Sequence, residues 1–198
     1  MSLAAVILLS GLLTARAQEP QPPADQPAAV VPGTEELAQD PCILTGRLEN
    51  GLSYVIRPTR EPAGRGSVRL LVRVGSQNET EINSGISHFL EHMVFNGSRT
   101  FKRGELIPTM QKLGLGFGGD ANAYTSLLHT VYQLDLPNLD ERTVDFALTI
   151  TRDFADGATL EDDAIDHERG IVVSELKSRD SASYRAMIQM MERLTEGT

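Results

Sequence analysis

The sequence predicts an α+β fold over residues 42–198, an antiparallel sheet packed with helices. Three observations carry this. Residues 43–57 and 121–136 each form two short alternating stretches separated by a tight turn, the mark of hairpins between neighbouring strands. The stretch SVRLLVRV is β-branched and alternating, which fits a third strand unit. Elsewhere the apolar period lengthens from two residues to three and four, the helical period. Paired strands interspersed with runs of helix, without a regular strand–helix alternation, give α+β.

The elements follow in order. Ile43 to Leu48 and Leu52 to Arg57 are the arms of a hairpin turned by Glu49-Asn50-Gly51, where Asn-Gly is the strong signal. Pro58 to Gly66 reads as a loop, and Ser67 to Val74 as a strand ended by Gly75. Over residues 84–96, Ile86, Phe89, Leu90, Met93 and Val94 recur at helical spacing, with Ser84 as the expected cap and Asn96-Gly97 as a left-handed stop. Glu105 to Leu113 is a short helix that tolerates Pro108 only in its first turn. After the glycine-rich loop Gly114–Gly119, Ala121 to Ser126 and Thr130 to Leu136 are strands. Leu139 to Phe154, Leu160 to Arg179 and residues 184–194 are helices.

Composition narrows the partners. The chain has 198 residues, 40% of them hydrophobic, and a net charge of −9 with no Lys/Arg-rich block. That argues against nucleic acid and against an anionic membrane surface. One cysteine, Cys42, excludes an internal disulfide and a Cys-x-x-Cys knuckle, so a metal would have to be held by His and carboxylates.

The N-terminus reads apart from the fold. Leu3 to Ala15 is an apolar run of leader length followed by a small-x-small site, Ala15-Arg16-Ala17, so residues 1–17 are expected to be a signal peptide. Export to a bacterial periplasm suits a cysteine-poor chain; an uncleaved membrane anchor is the alternative. Residues 18–41 hold six prolines and no hydrophobic period, which reads as a disordered linker. The chain stops at Thr198 without a terminating element, as expected of a C-terminally incomplete domain.

The chemistry sits in SHFLEH, residues 87–92. On a helix His88 and His92 lie one turn apart on one face, and Glu91 lies on the same side. Two imidazoles at this spacing can hold zinc, and a neighbouring carboxylate can take a proton from a zinc-bound water. The order His-x-x-Glu-His inverts the commoner His-Glu-x-x-His. A catalytic zinc wants a third protein ligand. The helix 160–179 offers Glu168 and Glu175, two turns apart on one face, with Ile171 and Val172 between them expected to pack on a neighbouring helix. The bland readings are a solvated histidine pair and a salt-bridged acidic face, with Arg169, Lys177 and Arg179 nearby. His129 and His167 are weaker candidates.

Several stretches carry a family resemblance. GISHFLEHMVFNGSRTF resembles the zinc helix of the pitrilysin and insulin-degrading enzyme family, which includes the mitochondrial processing peptidases. LENGLSYVIRP, LLVRVGSQNET, GGDANAYTSLLHTVYQLDLP and HERGIVVSELKSR resemble its flanking hairpins, strand and acidic helix in the same order, over about residues 43–198. The match looks closest to exported bacterial zinc proteases. The resemblance implies a zinc metalloendopeptidase with one Zn²⁺. It implies that His88 and His92 bind zinc, that Glu91 is the general base, that Glu175 is the third ligand, and that Glu168 is a second acid supporting catalysis. The gap from His92 to Glu175 is 83 residues, longer than is usual in the family, whereas Glu168 lies 76 residues away. The local pattern Glu-Arg-x-x-apolar-x-x-Glu favours Glu175 as the ligand. The strand around Asn122, Ala123 and Tyr124 resembles an edge that pairs with extended peptide substrate. A C-terminal homologous half or partner subunit is implied as well. The alternatives are a non-catalytic peptide-binding or assembly subunit of the same fold and an exported binding domain whose histidine pair is structural.

Overall fold

The computed structural model describes Ser2–Leu9 as backbone and residues 40–195 in detail; residues 1, 10–39 and 196–198 lie outside the described set. All of the expected linker except Asp40 and Pro41, and the expected leader apart from residues 2–9, fall outside it. The described part of the leader, Ser2–Leu9, is a strand, β1.

The remaining strands are β2 (Leu44–Arg47), β3 (Ser53–Thr59), β4 (Gly66–Val72), β5 (Ala121–Thr125) and β6 (Thr130–Leu136). The helices are α1 (Ile86–Asn96), α2 (Leu106–Lys112), α3 (Glu141–Asp156), α4 (Asp162–Arg179) and α5 (Ala182–Thr195). The strands form one sheet in the order β2-β3-β1-β4-β6-β5. All neighbours pair antiparallel except β1 and β4, which are parallel. The class is therefore α+β, with β5 at one edge.

Alternation decides which face is covered. On β4 and β6 the residues Val68, Leu70, Tyr132, Leu134 and Leu136 are buried and belong to one core with α3 and α2. The opposite face carries Arg69 and Asp135, paired at 2.9 Å. α3 contributes Phe146, Ala147, Ile150 and Phe154, a stripe at three- and four-residue spacing, and its Asp140 cap accepts from the Thr143 amide at 2.7 Å. Hydrogen bonds hold the Asp140 carboxyl below its ordinary range. α2 seals one end with Leu106 and Met110, and Pro108 is its third residue, within the first turn. Among the described residues no helix is long and apolar enough to cross a membrane.

Three local expectations need correcting. β3 runs on through Pro58 to Thr59, so the loop is shorter than the proline suggested; Pro is tolerated where no ladder amide is required. Ser84 does not cap α1. Gly85 occupies the cap with φ 87°, left-handed backbone that favours glycine, and Glu79 reaches in from an earlier turn to accept from the amides of Gly85 and Ser87 at 2.6 and 2.8 Å. Gly97, after α1, is extended rather than left-handed, with φ 162°. Close approach makes it glycine: a Cβ there would stand 2.7 Å from Thr159 Oγ1.

Candidate metal centre and its cleft

α1 and α4 lie against each other, with the edge strand β5 beside α1. α1 turns His88, Glu91, His92, Phe95 and Asn96 to one side, the i, i+3, i+4, i+7, i+8 face of a helix. Its other side sends Met93 and Val94 inward, fully or almost fully buried. One helix thus anchors itself in the interior with one face and presents chemistry with the other. Glu168, Ile171 and Glu175 of α4 and Asn122, Ala123 and Tyr124 of β5 close a cleft of about 530 Å³. On α4, only Ala164 and Glu168 are buried; Ile171 is 44% exposed and looks into the cleft, and Val172 is half-buried. The expected burial of Ile171 and Val172 against a helix is not what the chain does: the side chains of α4 that reach α1 are the acids, Glu168 to His92 and Asn96 and Glu175 to His88 and His92.

The donor atoms converge. His88 Nε2 and His92 Nε2 are 3.2 Å apart, and Glu175 Oε2 lies 3.2 Å from the second and 3.7 Å from the first. Among the described residues His88, His92 and Glu175 form the group of side chains able to hold a metal ion. The three edges can be compared with a tetrahedron. Ligands about 2.0–2.1 Å from zinc stand roughly 3.3 Å from one another, so the triangle is of the right size for three of four positions. Glu175 gives its other oxygen, Oε1, to Arg179 one turn further along.

Glu168 lies elsewhere on the site. It is 5% exposed; Oε1 sits 2.8 Å from His92 Nδ1, and Oε2 accepts from Asn96 Nδ2 at 2.7 Å. An ionised carboxylate only accepts, so in this pairing His92 Nδ1 is the donor, and Nε2 is the nitrogen that faces His88 Nε2 and Glu175 Oε2. Of the two acids that spacing left open, Glu175 presents an oxygen to both Nε2 atoms and Glu168 presents one to the back of His92.

Glu91 is 8% exposed, and its Oε2 accepts from Thr125 Oγ1 at 2.5 Å. Burial pushes the Tyr132 hydroxyl well above its ordinary value, and the nearby negative charge of Glu91 adds to this. Tyr132 therefore stays neutral. Asn122 and Tyr124 are exposed and Ala123 is half-buried, along the edge strand. His129 stacks edge-on to Tyr124 with centroids 6.0 Å apart, and His167 is exposed; neither belongs to the donor group. Asn96 was expected only as a helix stop, and Thr125 only as strand; period-two alternation with Ala121 and Ala123 was the one signal that could have turned Thr125 inward.

The family model described as Insulinase (Peptidase family M16) matches residues 54–195. The chain belongs to this family. It is 38% identical over 149 residues to the probable zinc protease PqqL of Escherichia coli (strain K12), an alignment covering 75% of this chain and 16% of that protein. The crystal structure of the first half of the periplasmic protease PqqL from Escherichia coli superposes with a TM-score of 0.72 at 37% identity, covering 76% of this chain and 32% of that one. A variant of the ferredoxin protease FusC, in complex with Arabidopsis ferredoxin, gives a TM-score of 0.67 at 27% identity, over 76% of this chain and 16% of that one. The M16 chain thus spans about one sixth of the length of the PqqL protein it matches.

Proposed function

We propose that this chain is the metal-holding part of a zinc metalloendopeptidase that hydrolyses peptides or unfolded polypeptides. The observation that carries the reading is the triangle of His88, His92 and Glu175 donor atoms, with edges of 3.2, 3.2 and 3.7 Å, beside a buried carboxylate in an open cleft. Zinc held there supplies Lewis acidity and lowers the pKa of a water to about 7. Glu91 takes the proton from the attacking water and passes it to the leaving amine as the peptide bond breaks. Glu168 fixes the tautomer and tilt of His92. An extended peptide pairs its main chain with the outer edge of β5, with Asn122, Ala123 and Tyr124 along it. The edge position of β5 supports this, since its far side has no strand partner among the described residues.

A second, homologous half completes the enzyme in this reading, in keeping with the short share of PqqL that the chain spans. Residues 1–17 act as a leader, 18–41 as a linker and 42–198 as the start of the catalytic domain. The protein works in the periplasm, as PqqL is described. The test is Glu91→Gln in protein made from its complete reading frame. Peptide hydrolysis should vanish while zinc stays near one equivalent by elemental analysis. Loss of zinc with the substitution would count against the base role. Absence of zinc in the purified wild type would sink the whole reading.

A further inference from the structure

The buried Glu91 carboxylate is tied to the edge strand through a chain of hydroxyls. Thr125 closes β5 and donates to Glu91 Oε2 at 2.5 Å. Thr130 opens β6 and is the ladder partner of Thr125, with the two Oγ1 atoms 3.3 Å apart. Thr130 donates to the Val74 carbonyl at 3.0 Å. A hydroxyl has one proton to give, and the proton of Thr130 is committed to Val74. Towards Thr125, Thr130 can then only accept, at 3.3 Å, and the single proton of Thr125 goes instead to the carboxylate of Glu91, which is nearer at 2.5 Å and the stronger acceptor. Because Thr125 stands on a paired strand, its Oγ1 is held by the ladder rather than by a mobile loop.

We propose that Thr125 is a positioning residue, which holds Glu91 Oε2 so that Oε1 is the oxygen left to meet the attacking water. The proposal rests on the reading of Glu91 as the base. It also joins two parts of the cleft: the strand offered to the peptide backbone and the carboxylate offered to the water are one rigid unit. A glutamate has three side-chain torsions to fix, and one charge-assisted hydrogen bond at its tip removes most of that freedom.

The experiment compares Thr125→Val, which keeps the shape and loses the hydroxyl, with Thr125→Ser, which keeps the hydroxyl, in protein made from the complete reading frame and loaded with zinc. The expected result is a fall in kcat of roughly ten- to hundred-fold for the valine variant, with KM and zinc content close to wild type. The serine variant should recover kcat to within a few-fold. A valine variant with wild-type kcat overturns the proposal, and so does a serine variant as impaired as the valine one, which would assign the effect to packing. A crystal structure of Thr125→Val adds a readout independent of turnover. The Glu91 carboxylate should leave its wild-type position, and finding it unmoved overturns the proposal. Wild-type protein that cleaves no peptide while Glu91 still shifts in the valine variant would fail the peptidase reading and leave the tether intact.

Discussion

Both carboxylate oxygens of Glu168 are occupied, one by His92 Nδ1 and one by the Asn96 amide, so in the proposed zinc centre this acid would act on the metal through an imidazole. An outer partner of that kind typically changes metal affinity by about 10–100-fold. Glu168→Gln puts an amide NH₂ against either the Asn96 NH₂ or the Nδ1 proton of His92. It should weaken zinc binding by about that factor, read by competition with a chromophoric chelator. Asn96→Leu should move affinity in the same direction by less, since it frees Glu168 without removing it. Wild-type affinity in Glu168→Gln would show that the contact to His92 is idle. A second residue, Asp153, is 1% exposed and accepts from Ser98 Oγ at 2.6 Å and from the Thr100 amide at 3.0 Å. It pins the turn after α1 to α3. Asp153→Ala orphans both donors and should cost about 1–3 kcal/mol in denaturant unfolding, the cost of leaving buried polar groups unpaired.

At the level of elements, α1 depends on a cap that lies outside it. Burial raises the carboxyl of Glu79, but the hydrogen bonds from Gly85 and Ser87, with the charge of His88, outweigh this and hold it below the ordinary carboxylate range. A carboxyl depressed in the folded state adds stability above its unfolded pKa and loses it as pH falls through the lower folded value. Zinc-free wild type should therefore lose more stability between about pH 5 and pH 3 than Glu79→Gln, whose cap does not titrate, measured as unfolding midpoints across that range. Equal slopes would show that the cap carries no charge-dependent stability. This cap also marks where the sequence stops being legible. α1 itself is written in the period of Phe89, Met93 and Val94, and β5 and β6 in alternation about a turn. The cap is not, because the chain reaches back to Gly85 through two short 3-10 turns, Ser76–Asn78 and Glu81–Asn83, that leave no period. Ser84 is the local candidate by residue type and loses to a longer acid placed by tertiary structure.

Across the molecule, the halves of the candidate centre differ in how firmly they are held. His88, Glu91 and His92 ride on α1, whose Met93 is fully buried and whose Val94 belongs to the core formed by the sheet and α3. Glu175 rides on α4, which buries only Ala164 and Glu168 and leaves Ile171, Val173 and Leu176 substantially exposed. Helices gain most of their stability from packing an apolar face, so α4 should open at a lower free energy than α1 or the sheet. A metal shared by His88, His92 and Glu175 would join the two, and binding to the closed arrangement alone stabilises it by RT ln(1 + [L]/Kd), about 2.7 kcal/mol at a hundredfold excess over Kd. Hydrogen exchange with and without a chelator tests this. Zinc removal should speed exchange of the α4 amides around Glu175 by on the order of a hundredfold and leave the β4 and β6 amides unchanged. Glu175→Ala should exchange at the chelated rate whether or not zinc is present. Uniform deprotection of sheet and α4 alike would mean that the two open together, and that the metal does not act as a clasp between a rigid helix and a loosely held one.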